Sequence, residues 1–145
     1  MQYTVGVECI IEYNGKLLFI RRPSHKHAGG TLAFPGGGVE GEKELNHQDI
    51  LRCAAKREVF EEVGLTLKDP LIYLTTSYFV DDFEKPVIHS VFYCRLYNTL
   101  PTLNINAAEV PEYTWITPAN ALLNAETPSW IKKYIQLLPK EKSED

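Results

Sequence analysis

The stretch Arg57-Glu58-Val59-Phe60-Glu61-Glu62-Val63-Gly64-Leu65 decides how this chain is read. At about 100° per residue, Glu58, Glu61 and Glu62 fall within roughly 100° of one another on a helix. Val59 and Val63 point to a neighbouring face, available for a core. Three carboxylates this close repel one another, by roughly 0.2–0.5 kcal/mol per like-charged pair even when exposed. A divalent cation removes that repulsion, and an all-oxygen donor set suits Mg²⁺ or Mn²⁺ rather than zinc. A Glu-rich helix face is more commonly a solvated surface, so the surroundings of the trio must decide.

Upstream, Leu32 and Phe34 form a short apolar strand running into Pro35-Gly36-Gly37-Gly38, read as a turn that glycine makes permissive. The helix carrying the trio is expected to be capped at Asn46, with Asp49 three residues on in a variant of the capping box. It runs through Ala54 and Ala55 to Val63 and stops at Gly64. Further out, Tyr3 to Glu12 is rich in β-branched residues and reads as a strand. Asn14-Gly15 signals a hairpin with Lys16 to Arg21 as its partner, and Pro23 to Gly30 is an irregular loop. Downstream, Leu71 to Val80 and Val87 to Tyr97 read as strands joined by an acidic turn at Asp81-Asp82, and Trp115-Ile116 as a last short strand. Thr117-Pro118 and Thr127-Pro128 each place a capping residue before a proline at the first helical position. The second helix carries an apolar stripe of Ile131, Tyr134, Ile135 and Leu138.

A chain of 145 residues accommodates one domain, assigned to residues 1–139, with 140–145 as a charged tail expected to fray. The formal charge of −4 gives no basic footprint, so nucleic acid is not an expected partner. A small anionic ligand would need a local cation or metal. Cys9, Cys53 and Cys94 have no paired spacing, which argues against a disulfide scaffold or zinc knuckle and suits a reducing compartment. No apolar run approaches the roughly 20 residues of a membrane span, and no signal peptide is visible. The expected location is cytoplasmic, with no membrane partner.

Arg57 to Leu65 resembles the second half of the Nudix box, G-x5-E-x7-R-E-U-x-E-E-x-G-U, with every specified position filled. Pro35 to Glu42 resembles its first half, since Gly36 is followed by five residues and then Glu42. The middle departs: fourteen residues separate Glu42 from Arg57, where the family pattern has seven. Either Asp49, at the family's spacing before Arg57, takes the place of the first glutamate and Lys43 to Gln48 enlarge a loop, or the extra residues add about two helical turns in register. A cap at Asn46 favours the first. The order of hairpin, Arg21-Arg22, Phe34-Pro35-Gly36-Gly37 and Trp115 strand is similar to that of MutT-like proteins, from Tyr3 to about Leu138. The fold implied is α/β, a Nudix-type α/β/α sandwich around a mixed β-sheet.

The resemblance implies Mg²⁺-dependent hydrolysis, with Mn²⁺ as the alternative ion, of a diphosphate linkage in a nucleoside diphosphate derivative or nucleoside triphosphate. Nucleotide-pool cleansing is one such role. Glu58, Glu61 and Glu62 would hold the metal, Glu58 and Glu62 foremost because they lie one turn apart. Arg57 would orient a carboxylate, Asp49 or a box glutamate, besides its ordinary i,i+4 pairing with Glu61. Glu109, six residues before Trp115, sits where MutT-like proteins place an additional metal-binding or catalytic glutamate, and Glu112 is the nearby alternative.

For substrate, Arg21 and Arg22 leave a strand toward the glycines, where one could contact phosphate unless both serve structural salt bridges. Gly36 and Gly37 border the approach, and Phe34 is the aromatic chosen to stack on a nucleobase. Tyr78, Phe79 and Trp115 are read as core, His25 and His27 as solvated loop residues, and Asn120 or Asn124 as a base-edge reader. The alternative is a non-catalytic Nudix-fold nucleotide sensor, against which the three crowded carboxylates count. A decapping-like RNA enzyme is disfavoured by the acidic charge. Pairing into a homodimer is left open.

Overall fold

Alternating apolar residues let each central strand feed two cores at once. In β1 (Thr4–Tyr13), Val7, Cys9 and Ile11 enter one core and Ile10 the other. In β2 (Lys16–Arg21), Leu18 and Ile20 join the first, Leu17 and Phe19 the second. The computed structural model describes residues 2–44, 48–97, 99–100 and 102–140. Asn14 (φ 51°) and Gly15 (φ 81°) both take the left-handed conformation that a two-residue hairpin turn demands.

The remaining strands are β3 (Leu32–Ala33), β4 (Gly36–Gly38), β5 (Ile72–Val80), β6 (Pro86–Leu96) and β7 (Tyr113–Ile116). They form one sheet of order β3-β2-β1-β6-β5, with β4 also on β1 and β7 also on β2. The β1–β6 pair is parallel, from Thr4↔Val87 to Tyr13↔Leu96, and the other pairings are antiparallel. The sheet is therefore mixed. Helix α1 (Ile50–Val63) covers one face through Ala54, Ala55, Val59 and Val63. Helices α2 (Pro118–Leu123) and α3 (Ser129–Gln136) cover the other, α3 through the Ile131, Tyr134 and Ile135 stripe. This is the α/β/α sandwich. No described helix is long and apolar enough to cross a membrane.

Three local readings change. Helix α1 begins at Ile50, with Asp49 as N-cap residue in the left-handed region (φ 49°, ψ 46°) and no side-chain capping bond. Asn46 lies outside the described residues, as do 141–145 of the expected tail. The other end is as expected: Gly64 (φ 76°) donates its N–H to the Phe60 carbonyl. Second, Gly36 to Gly38 are not a turn. They form a strand with no positive φ, and the demand for glycine is spatial, because a Cβ on Gly36 would lie 2.1 Å from the Val7 carbonyl oxygen. Third, Thr117 caps α2 by accepting the Asn120 N–H at 3.2 Å, but Pro128 holds the capping position of α3. The Thr127 hydroxyl is buried without a hydrogen-bond partner among the described residues.

Candidate active site

Helix α1 presents Glu58 and Glu62 to β4. The Glu62 Oε1 accepts the Gly36 N–H at 2.8 Å, and the residue is only 6% exposed. Burial pushes its carboxyl from an ordinary 4.5 up to about 8, with Glu58 and Glu109 adding to the rise and the Gly36 N–H and Lys26 opposing it. Glu58 is raised in the same direction, first by burial and then by Glu61 and Glu109, against the pull of Arg57. Gly37 lies directly against Glu58: a Cβ there would come within 2.5 Å of the Glu58 carboxyl carbon. The glycines of β4 thus form a bare backbone floor on which the two acids rest.

Arg57 ties the acids together. Its Nε and Nη2 reach both oxygens of Glu44, at 3.0 and 3.2 Å. Its Nη1 donates to Glu58 Oε1 at 3.0 Å and Glu61 Oε2 at 3.2 Å, and Nη2 also donates to the Gly38 carbonyl at 3.0 Å. These acceptors raise the guanidinium's pKa further, so Arg57 stays charged. Glu44 is 3% exposed and also accepts the Glu40 N–H. Neither residue proposed for the first box glutamate meets Arg57: Glu42 is exposed, and Asp49 pairs with Arg52 at 3.2 Å. The signal for Glu44 was present, because Gly38 is followed by five residues and then Glu44, repeating the Gly36–Glu42 spacing two positions later.

A loop brings Glu109 to the same place. Asn104 and Asn106 donate to the carbonyls of Val63 and Glu62, each at 2.9 Å, which docks the loop on the end of α1. Glu109 then lies near enough to Glu58 and Glu62 to hinder their ionisation. Glu112 instead binds Arg21. Each Arg21 guanidinium nitrogen holds one acceptor, the others being Glu126 at 2.7 Å and the Gly30 carbonyl at 2.7 Å, and Arg21 does not line the cavity on the α3 side of the sheet.

A cavity of about 590 Å³ opens on the α3 side of the sheet, with Gly36, Gly37 and Gly38 along one border. Arg22 and Phe34 line it, Phe34 packed on Phe19 with ring centroids 4.7 Å apart. Three assignments change. His27 is part of the cavity wall, stacked on Phe79 at 5.3 Å and Trp130 at 6.3 Å, and its Nδ1 accepts the Asp82 N–H. Phe79 lines the cavity rather than the core, and Tyr78 is exposed and meets Tyr3 edge-on. Asn120 and Asn124 stay at the ends of α2, outside the lining. Trp115 packs beside Tyr13 against the α1-side core, and His25 is exposed. Lys26, not singled out from sequence, lines the cavity and is the cation that acts on Glu62.

Among the described residues no three histidine, cysteine or carboxylate donors form a ready cage. The donors that do approach are carboxylates only, two of them desolvated and mutually repelling. That suits a hard ion which keeps its waters and takes one or two carboxylates, as Mg²⁺ does.

A mixed-sheet α/β/α sandwich with acids on a glycine strand, beside an aromatic cavity, defines a recognisable class. The family model of the NUDIX domain matches residues 2–138, and the chain belongs to that family. Among solved structures it is similar to a MutT protein from Methanosarcina mazei (24% identity, 92% of this chain and 91% of that one, TM-score 0.75). It is also similar to a MutT NUDIX hydrolase from Burkholderia pseudomallei (18%, 96% and 100%, 0.77). A third is the NUDIX domain of Shewanella oneidensis NrtR complexed with ADP ribose (15%, 94% and 88%, 0.73). At these identities the likeness establishes the fold. No curated protein matches the chain significantly.

Proposed function

We propose that this protein is a Mg²⁺-dependent hydrolase, with Mn²⁺ able to substitute, that cuts a diphosphate linkage in a nucleotide-like small molecule. The observation that carries this reading is the pair of desolvated acids, Glu58 and Glu62, seated on Gly36 and Gly37 at the border of the cavity. Cleaving a diphosphate asks the protein mainly for positioning and charge neutralisation. Glu58 and Glu62 would hold the ion with Glu61 beside them. The ion, when bound, supplies positive charge to the phosphate oxygens and lowers the pKa of water. Arg57, braced by Glu44, keeps Glu58 and Glu61 in place. Glu109 is the group we assign to take the proton from the attacking water, or to assist the metal acids. Lys26 and Arg22 would meet the phosphates, and Phe34 the base. Arg21, held by Glu112 and Glu126, braces its loop.

The NrtR domain's complex with ADP ribose supports a nucleoside diphosphate derivative as the ligand class. The test is phosphate or pyrophosphate release with Mg²⁺ from nucleoside triphosphates, oxidised ones, sugar nucleotides, ADP-ribose and dinucleoside polyphosphates. At least one should be cut by the wild type and spared by Glu58→Gln and Glu62→Gln. Turnover of none, or equal turnover by the variants, would refute the reading.

A further inference from the structure

The cavity floor holds a carboxylate that the hydrolytic reading leaves unused. Glu8 points from β1 to the α3 side of the sheet, where one of its oxygens, Oε1, accepts a 2.6 Å hydrogen bond from His89 Nε2. His89 stands opposite Gly6 across the parallel β1–β6 pair. The ring occupies space that glycine leaves, since a Cβ on Gly6 would lie 2.9 Å from His89 Nδ1. Phe79 meets the His89 ring edge-on, with centroids 5.9 Å apart. The imidazole is thus fixed by strand register, by missing side-chain bulk and by an aromatic neighbour, and it holds the carboxylate in turn.

The other oxygen, Glu8 Oε2, is buried and meets no donor among the described residues. A buried carboxylate oxygen without a donor is costly. Glu8 lines a cavity with aromatic walls, Phe34, Phe79 and Trp130, that adjoins the glycine strand where phosphates would lie. A flat ring held between these walls that brings its own N–H to Glu8 would supply the donor.

We propose that Glu8, positioned by His89, reads the exocyclic amino group of a nucleobase in this cavity, so that the preferred ligands carry adenine, cytosine or guanine. Uracil and thymine offer only an N–H flanked by two carbonyl oxygens, and those oxygens would face the carboxylate. The inference builds on the proposed function by naming its substrate class. A site built to receive a hydrogen bond rejects analogues lacking the donor far more strongly than an apolar pocket does.

Nucleoside monophosphates have no diphosphate to cut, so their binding tests the base pocket apart from catalysis. CMP against UMP, and AMP against IMP, are pairs of nearly equal size that differ at the amino group. Calorimetric titration of the wild type should show the amino-bearing member binding about tenfold tighter or more. Glu8→Gln, which can donate as well as accept, should bring that ratio close to one or reverse it. Should that variant fail to fold, His89→Leu should shrink the same ratio, while His89→Gln, which keeps a donor, should retain most of it. Equal affinities in the wild type, no binding of any of the four, or an unchanged ratio in Glu8→Gln would overturn the inference. Base discrimination without turnover of any nucleotide would sink the hydrolase reading alone. Hydrolysis that depends on Glu58, without base discrimination, would sink this one alone.

Discussion

Glu44 and Arg57 form a two-point ion pair that is nearly dry, with side-chain exposures of 1% and 16%. An exposed pair would contribute little, but this one fixes a guanidinium that in turn holds Glu58 and Glu61. Groups that orient metal-holding residues typically matter by about 10–100-fold. Steady-state kinetics of Glu44→Gln should therefore show kcat reduced by about that factor with little change in KM, and an unchanged kcat would remove Glu44 from the account. Gly37→Ala should lose activity while keeping its circular dichroism spectrum, since the added carbon displaces Glu58 before it disturbs the strand. The acidic trio was legible because helical spacing alone brings Glu58, Glu61 and Glu62 together. Glu44 was not, because Gly-x5-Glu occurs in two overlapping frames and only the fold selects which glutamate reaches Arg57. Glu8 and His89 were invisible for a different reason: they are far apart in sequence and meet only through the β1–β6 register.

At the level of elements, β4 does what a loop of the same composition could not. Its backbone pairs with Gly6, Val7 and Glu8 of β1 and still offers the Gly36 N–H to Glu62. Reading the glycines as a turn followed from their conformational freedom, whereas the structure uses their lack of a side chain. Helix ends show the same divide between sequence signal and realised bond. Thr117 and Thr127 look equivalent before their prolines, yet only Thr117 captures a backbone N–H. Thr117→Ala should cost about 1 kcal/mol in urea denaturation. Thr127→Val should be near neutral or stabilising, because it replaces a buried hydroxyl without a partner among the described residues by a methyl of similar shape.

Across the whole molecule the sheet divides the labour. The α1 face gathers the acids, the α3 face encloses the aromatic cavity, and the glycine strand borders both. The sandwich itself was legible from alternating apolar residues and helix punctuation, since those patterns are set by burial. Which strands lie side by side was not, because it depends on long-range pairing such as β1 with β6. The separation of faces also governs stability. Glu62 has a folded pKa of about 8 against an ordinary 4.5, so its protonated form is favoured by folding. That contribution is complete below the ordinary value and is lost as pH rises through about 8. Metal-free protein should therefore melt at progressively lower temperature from pH 5 to pH 8.5, and Glu62→Gln should flatten the trend.

Glu58 and Glu62 of α1 are the proposed holders of a divalent cation. Mn²⁺ titration followed by electron paramagnetic resonance reads this directly, without any choice of substrate. Saturable Mn²⁺ binding by the wild type, competed by Mg²⁺ and weakened by about tenfold or more in Glu58→Gln and in Glu62→Gln, is the expected result. Mn²⁺ binding of equal strength in the wild type and both variants would contradict it.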